Sequence, residues 1–541
     1  MSNISRLSAY YFRWLMDCIS VLMEIIIAEA VKGNRILLIV LGFMFLNIHV
    51  GCTDVQNDEE PDKPNVIYIN ADDLGYGDLS AYGGTKIKTP NIDRLAKEGR
   101  RFTDAHSASA VCSPSRYALI TGEYPARKEF WYPIFSRDTL QVDQDKLTIA
   151  DVMKEAGYST SIIGKWHLGF GNDYPVNWNE ELKPGPLELG FDYYYGIPVL
   201  NSHPPFVYVE NHNVLGLDEN DPLVYGEEAK TREFDEKFDI DEFGGGEAAH
   251  ELYKDREVGT TLKNKAINWI KDNKENPFFL YFTPPQIHHP FTPDPQFIGT
   301  SKAGMYGDFI HELDWMIGEI LNVLDEEGLA ENTLLIFTSD NGAMLNRGGQ
   351  TAWEAGHKMN SDLLGFKFGA WEGGHRVPFI ARWPGQIPAG SESDELLSNV
   401  DILATLAALV DHSLQEGDAP DSYNMLPAIT GTPEESIRDY LVISPSQRSH
   451  LSIRKGKWMY IPARGEGGFG GTEIGDHDFA GAAAHKLTGQ TNSDIRDGVV
   501  RENAPDVQLY DLESDPAQKE NIVNDYPEVA EELQKLLEET I

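Results

Sequence analysis

The chain is poor in cysteine: its 541 residues hold three, Cys18, Cys52 and Cys112. Two of them fall in the N-terminal leader region. Once that region is removed Cys112 has no partner, and a structural disulfide within the body is excluded. Basic charge is scarce too, with 45 Lys and Arg against 86 Asp and Glu and a net charge of −41. That balance argues against a nucleic-acid partner, because binding phosphate backbones requires a basic surface. It leaves room for a small anionic substrate, since a local cluster of Lys, Arg, His and metal overrides the global field. No internal repeat is present, which excludes a solenoid. What remains is an acidic chain long enough for a large core and more than one domain.

At the N-terminus, Lys32 and Arg35 precede the apolar run from Ile36 to Val50, which ends at Gly51-Cys52. A positive region, an apolar region and a small residue before cysteine read as a secretory signal, so residues 1–52 are expected to direct export. Gly51-Cys52 is similar to the end of a bacterial lipoprotein box, although His49 and Val50 depart from it. Two destinations follow: a periplasmic protein cut from its leader, or an outer-membrane lipoprotein attached through a lipidated Cys52. The residues before Lys32 exceed what such a leader needs, and Met23 is a second candidate start. Residues 53–64 are acidic and polar and read as a tether.

The body alternates strand and helix signals. Val66 to Ile69 is a buried-strand run that ends in Asn70-Ala71-Asp72-Asp73. Thr89-Pro90 opens a helix with Gly99 past its end. Three helix-then-strand pairs follow: Thr148 to Ala156 with Tyr158 to Ile163, Val258 to Lys271 with Phe278 to Phe282, and Gly307 to Asp325 with Leu334 to Thr338. Such alternation predicts an α/β fold with a large, mainly parallel sheet sandwiched by helices, and ligands at the carboxyl ends of its strands. Residues 201–247 break the pattern, are polar and acidic, and are expected to form a surface insertion. After residue 440 the pattern changes to the short strands Leu441 to Ser444, Leu451 to Arg454 and Trp458 to Ile461. A Gly-rich loop from Gly465 to Gly471 and a final helix from Glu528 to Glu539 follow. The expected division is a catalytic domain over 65–439 and a smaller α+β domain over 440–541.

The chemistry-bearing residues sit at the ends of these strands. Asp72 and Asp73 follow one, and Asp340 and Asn341 follow another. Three carboxylates and an amide carbonyl are hard oxygen ligands, suited to Ca²⁺ or Mg²⁺. Two adjacent acids without a cation would repel each other. In Cys112-Ser113-Pro114-Ser115-Arg116, the cysteine and arginine share a side if the segment starts a helix. Pro114 fits a first turn, and the N–H groups of such an end favour an anion. Lys165 and His167 share a side if the preceding strand continues, pairing a cation with a group suited to proton transfer. His288 and His289 follow the strand Phe278 to Phe282, and either could serve the site. Lys367, by itself a lysine on a solvated face, precedes Trp371-Glu372-Gly373-Gly374-His375-Arg376-Val377-Pro378. The Gly-rich stretch Leu345 to Gly365 is expected to shape the pocket.

These motifs resemble, in order, those of the type I sulfatases, arylsulfatases and N-acetylgalactosamine-6-sulfatases among them, in the alkaline phosphatase superfamily. The resemblance rests on Cys-x-Pro-x-Arg with Thr121-Gly122, on Gly164-Lys165-Trp166-His167-Leu168-Gly169, on His288-x-Pro290, and on the Glu-Gly-Gly and Arg-Val-Pro of 372–378. Leu509-Tyr510-Asp511-Leu512 and Asp515-Pro516 are similar to the family's closing segment. The resemblance implies an alkaline phosphatase-like fold and conversion of Cys112 to formylglycine (3-oxoalanine) by a separate maturation enzyme. It implies one Ca²⁺ held by Asp72, Asp73, Asp340 and Asn341, with the formylglycine oxygen at position 112 completing the shell. It also implies the reaction. The aldehyde hydrate attacks sulfur, with its hydroxyl held by calcium and Arg116. Lys165, His288 and Lys367 bind the sulfate oxygens, and His288 protonates the departing alcohol with Lys367 near. His167 takes a proton from the second hydroxyl, sulfate leaves and the aldehyde returns.

The expected substrate is a sulfated polysaccharide or oligosaccharide, algal material first and glycosaminoglycan second. Two alternatives stand beside it: a phosphonate monoester or phosphodiester hydrolase on the same fold, and a non-catalytic carbohydrate-binding lipoprotein.

Overall fold

Seven consecutive residues, Asn65–Ala71 (β1), are all buried, and they form the middle of the molecule. A computed structural model describes residues 63–227 and 243–541. The leader with Cys18 and Cys52, nearly all of the acidic tether, and residues 228–242 of the expected insertion lie outside the described residues.

Strands β1, Arg100–Phe102 (β2), Ser159–Gly164 (β3), Tyr193–Gly196 (β4), Val209–Glu210 (β5), Asn213–Val214 (β6), Phe278–Thr283 (β7), Thr333–Ser339 (β8), Phe379–Arg382 (β9) and Ser391–Ser393 (β10) form one ten-stranded sheet. Their spatial order is β10-β2-β9-β8-β1-β7-β3-β4-β5-β6. The five central strands β8, β1, β7, β3 and β4 run parallel. Antiparallel pairs appear at β8 with β9, β9 with β2, β4 with β5 and β5 with β6. The expected parallel sheet is therefore the centre of a larger mixed one. Its central strands read as unbroken apolar runs because both faces are covered, which removes any need for polar alternation.

Alternate residues of β1 feed two cores. Val66 and Tyr68 join one cluster with Cys112–Thr121 (α2), Ile149–Glu155 (α3) and Ile402–Leu409 (α6). Ile67 and Ile69 join the other with Pro90–Glu98 (α1), Val258–Asn273 (α4) and Gly304–Glu326 (α5). Burial of each large aliphatic or aromatic side chain contributes about 1.5–3 kcal/mol, so this sandwich dominates stability. The α3 start carries a reciprocal cap: Thr148 Oγ1 accepts from Asp151 N–H at 3.1 Å, and the Asp151 carboxylate accepts from Thr148 N–H at 3.0 Å. The α1 start is capped from a distance. Asp314 of α5 accepts the N–H groups of Asn91 and Ile92 at 3.0 and 2.9 Å.

The expected surface insertion begins inside the molecule. Asn201, Phe206, Val207 and Tyr208 are buried, and β5 and β6 extend the main sheet. Its acidic composition misled because the charges cluster after residue 216, whereas 206–209 is an apolar run. The C-terminal part is a four-stranded antiparallel sheet of Tyr440–Ile443 (β11), Ser452–Lys455 (β12), Trp458–Ile461 (β13) and Gln508–Asp511 (β14). It is covered by Pro527–Thr540 (α7) through Ala530, Leu533 and Leu537. The same apolar cluster includes Ala118 and Trp371, which ties this sheet to the segments around Cys112 and the Glu-Gly-Gly motif.

Candidate active site

Parallel pairing places the acidic groups. Ala71 lies opposite Ser339 at the carboxyl ends of β1 and β8. The residues that follow therefore leave the sheet side by side, in the crevice where such sheets bind ligands. Asp340 N–H donates to the Ala71 carbonyl at 3.1 Å, and Asp73 N–H donates to Asp340 Oδ1 at 3.2 Å. Gly342 then packs so closely that a Cβ on it would lie 1.9 Å from the Gly373 carbonyl oxygen. The Glu-Gly-Gly motif thus requires the glycine of the Asp-Asn-Gly turn.

Helix α2 brings the cysteine and the arginine. It starts at Cys112, and Gly122 ends it at φ +66°. All ten of its residues are buried. Arg116, one turn after Cys112, donates through Nε and Nη2 to Asp340 Oδ2 at 3.0 and 2.8 Å, and through Nη1 to the Lys165 carbonyl at 3.1 Å. Burial pushes the Cys112 thiol above its usual range, the lysines opposing it.

Two lysines meet the carboxylates. Lys165 Nζ is 2.7 Å from Asp72 Oδ2, and Lys367 Nζ is 2.5 Å from Asp73 Oδ1. Burial opposes the Lys367 charge, but Asp73 and the other anions override it and hold the ammonium above its usual range. Asn341 Nδ2 donates to Asp73 Oδ1 at 2.9 Å. Lys367 is therefore no solvated-face lysine: it is 2% exposed.

The two histidines are held in defined tautomers, assigned from their partners. His167 Nε2 donates to the Ile134 carbonyl at 3.0 Å, and its buried Nδ1 has no hydrogen-bond partner among the described residues. Burial, with Lys165 and Arg116, holds it well below the usual imidazole range. His288 Nδ1 donates to the His289 carbonyl at 2.7 Å, and its Nε2 lies 3.9 Å from Asp73 Oδ2. Burial, with His289 and the two lysines, lowers it likewise. His289 points instead to His477, ring nitrogen to ring nitrogen at 2.8 Å. The extended continuation expected for Lys165-x-His167 is not found. The strand stops at Gly164, and His167 sits at φ +58°. Asp73 at +59° and Phe368 at +75° are left-handed as well. Such backbone, costly for side-chain-bearing residues, gathers where surrounding structure enforces it at a site.

Cys112, His288 and Lys367 line one cavity of about 480 Å³, within the range of small-molecule sites. Its walls were not foreseen. They come from Tyr132 and Phe135, from Leu200 and His203, and from Phe469 and His477 of the C-terminal part. The stretch 345–365 does not line it. That stretch braces the ligand loop instead, with the Met359 carbonyl accepting Gly77 N–H at 2.6 Å and His357 bonded to Asp78 at 2.6 Å. Sequence reasoning also missed Asn201, whose Oδ1 lies 3.1 Å from His288 Nδ1 and whose Nδ2 donates to the His288 carbonyl at 2.9 Å. It missed Glu466, which accepts Phe366 N–H at 2.6 Å beside Lys367. The Gly-rich loop was visible in the sequence, but nothing in the sequence placed it at the cavity.

The fit for a hard cation rests on three buried oxygens. Asp72 Oδ1, Asp73 Oδ2 and Asn341 Oδ1 have no hydrogen-bond partner among the described residues. Ligand atoms of Asp72, Asp73 and Asp340 also lie within 4.8 Å of one another. Uncompensated buried oxygens of this kind are costly, and a divalent ion satisfies all three. A second buried group, His106, Glu372 and His375, has similar spacing. There His106 and His375 hydrogen-bond each other at 3.0 Å and Arg376 pairs with Glu372 Oε2 at 3.0 Å, so the one carboxylate of that group already has a cation, and one unpartnered oxygen, Glu372 Oε1, is left where the first group has three.

Known proteins place this arrangement. The sulfatase family model matches residues 64–412. A curated N-acetylgalactosamine-6-O-sulfatase of Bacteroides thetaiotaomicron is 39% identical over 534 residues, covering 93% of this chain and 98% of that protein. The N-acetylgalactosamine-6-sulfatase of Canis lupus familiaris is 34% identical over 385 residues, covering 69% of this chain and 67% of that protein. A solved structure from work on the metabolism of multiple glycosaminoglycans by Bacteroides thetaiotaomicron superposes with a TM-score of 0.77 at 39% identity, covering 88% of this chain and 99% of that one. With its mixed sheet sandwiched between helices, its strand-end acids and its Cys-x-Pro-x-Arg helix, this chain belongs to the sulfatase family.

Proposed function

We propose that this enzyme removes sulfate from sulfated glycosaminoglycan saccharides, with the 6-O-sulfate of N-acetylgalactosamine as the first candidate and algal oligosaccharides as the second. The observation that carries the reading is that Arg116, Lys165, Lys367 and His288 close on the buried carboxylates of Asp340, Asp72 and Asp73, with Cys112 lining the same cavity as Lys367 and His288. Asp72, Asp73, Asp340 and Asn341 would hold one Ca²⁺, which supplies Lewis acidity and neutralises developing charge. Conversion of Cys112 to formylglycine supplies a hydrated aldehyde as nucleophile, with a second hydroxyl that allows sulfate to leave.

The remaining work belongs to side chains in place. Lys367 at the cavity floor, with Lys165 behind it, offers positive charge to the sulfate oxygens, and that stabilisation grows as charge develops. Arg116 fixes Asp340, and with it the turn that carries two of the metal ligands. His288 turns Nε2 inward because Nδ1 is committed to a carbonyl. An arriving anion favours its imidazolium form, which places a proton where the departing alcohol oxygen needs one. His167 keeps Nδ1 open as a base because Nε2 is committed to Ile134.

Export is part of the same proposal. A leader ending near Cys52 would carry the enzyme to the periplasm or anchor it in the outer membrane, and fractionation of cells labelled with palmitate distinguishes the two. The central test is free sulfate release from a panel of glycosaminoglycan and algal oligosaccharides, using protein co-produced with a maturation enzyme. Cys112→Ala serves as the blank. Release that persists in that variant overturns the reading. Phosphonate or phosphodiester turnover exceeding sulfate release would move the site to the phosphoester alternative.

A further inference from the structure

Gln350 is not among the cavity-lining residues, yet it grips the loop that supplies one wall. It belongs to the helix Arg347–Glu354, whose start is capped by Asn346, the side chain accepting Gly349 N–H at 2.9 Å. That helix packs tightly on the segment after His288 and His289. A Cβ on Gly348 would lie 2.1 Å from Cε2 of Phe291, so the helix cannot move without disturbing that segment. The wall loop, residues 465–480, brings Phe469 and His477 to the cavity. It narrows where Gly471 N–H donates to the Asp478 carbonyl at 3.0 Å. The tip beyond is folded on itself, the Asp476 carboxylate accepting the N–H groups of Thr472 and Glu473 at 3.1 and 2.8 Å. The apolar residue of the tip, Ile474, is 54% exposed, so apolar burial contributes little there. Polar ties fasten the tip to the body. Gln350 Oε1 accepts Gly475 N–H at 2.7 Å, and Nε2 donates to the Asp476 carbonyl at 2.8 Å and to the Leu345 carbonyl at 3.1 Å. The Gln350 amide thus engages its oxygen and its nitrogen together, and the side chain is buried. Arg347 adds a tie through Nε to the Gly475 carbonyl at 3.0 Å. The next residue after these anchors, His477, meets His289 at 2.8 Å.

We infer that Gln350 is a positioning residue for substrate recognition: by fixing residues 475 and 476 it holds His477 against the cavity, and so sets the apparent affinity for the saccharide. A wall that leaves its place is competent for only part of the time, and apparent affinity falls by that fraction. The groups at the floor are placed by other means. Lys165 and Lys367 pair with Asp72 and Asp73 at the strand ends, so the step on sulfate proceeds once the sugar is bound. Loss of the Gln350 ties therefore acts on KM and spares kcat. This inference rests on the saccharide reading of the same site and adds a residue to it.

The test compares the matured parent, Gln350→Met and Gln350→Glu on N-acetylgalactosamine 6-sulfate. Gln350→Met keeps the length of the side chain and removes its hydrogen bonds, and the freed groups of the exposed tip can turn to water. It is expected to raise KM about tenfold with kcat within about twofold, the effect of a wall in place about one tenth of the time. Gln350→Glu keeps an acceptor for Gly475 N–H and is expected to fall between the two. A double-mutant cycle with His477→Ala supplies a readout that a merely structural role would not move. If Gln350 acts through His477, Gln350→Met shifts KM by no more than about twofold once residue 477 is alanine. An unchanged KM in Gln350→Met overturns the inference, as does a loss confined to kcat or an undiminished effect in the His477→Ala background. If Gln350→Met does not fold, Gln350→Glu and the cycle built on it decide in the same way. If the parent releases sulfate from aryl sulfate but from no saccharide, the saccharide reading falls and this inference with it. Saccharide turnover with KM unmoved in the variants removes the inference alone.

Discussion

Arg116 and Asp340 are 224 residues apart, and two guanidinium N–H groups converge on the single oxygen Asp340 Oδ2 at 2.8 and 3.0 Å. Both side chains are essentially fully buried. This pair binds helix α2 to the end of β8 and leaves Asp340 Oδ1 for the Asp73 backbone. Removing one partner strands the other charge, so Arg116→Leu is expected to cost about 3–5 kcal/mol of stability. The same change is expected to lower kcat at least about 100-fold. Urea unfolding with sulfate release measures both. Full activity in a stably folded Arg116→Leu protein would refute the coupling.

Metal removal has a thermodynamic readout separate from turnover. The three unsatisfied oxygens predict that Ca²⁺ stabilises the folded chain, by about 2.7 kcal/mol at a hundredfold excess over Kd. A chelator should lower the melting temperature, Ca²⁺ should restore it, and Asp73→Asn should blunt the response. Calorimetry that shows no Ca²⁺-dependent shift in the parent protein would remove the metal assignment.

Stability should also fall with rising pH because of Glu466. Burial raises this carboxyl from 4.5 to about 7, with the Phe366 N–H opposing. Between those values the folded state holds the proton and the unfolded state does not. The contribution is complete below 4.5 and is lost as pH passes 7, a total of about 3 kcal/mol. Glu312, raised to about 8 mainly by burial, has the same sign and extends the slope. Glu466→Gln keeps an acceptor for Phe366 and should flatten the part of the slope below pH 7. An unchanged profile of unfolding free energy against pH would count against the buried neutral Glu466.

Asn201 acts through His288. Its amide holds both the ring Nδ1 and the His288 carbonyl, at 3.1 and 2.9 Å. Asn201→Ala should lower kcat about tenfold with KM little changed, the scale at which an orienting partner of a site histidine acts. A loss confined to KM, or to stability alone, would contradict this positioning role.

The elements that were legible share one property: their signals are local. The buried run at β1 announced a strand because neighbouring residues are apolar, and the pattern from Thr148 to Ala156 announced α3 over nine residues. The α1 start was legible, but its cap was not, because Asp314 lies more than 200 residues away in sequence. The Lys165-x-His167 expectation failed for a related reason: local extension was assumed, and packing imposed a left-handed turn. The acidic composition of 201–247 likewise concealed the apolar run that extends the sheet.

By itself, the sequence determined the chemistry. It named the family through its motifs, and it placed the acidic pairs, Lys165 and the two histidines after strands. The tertiary structure alone decided which of those groups touch, which nitrogen of each histidine faces inward, and what surrounds the substrate. Parallel register set the acids side by side, and the Gly-rich loop of the C-terminal part turned Phe469 and His477 into a wall over Cys112. The physical reason is range. Periodicity and caps act over a few residues, whereas a buried charge pair or an aromatic wall is assembled from segments hundreds of residues apart, and its composition exists only once they are packed.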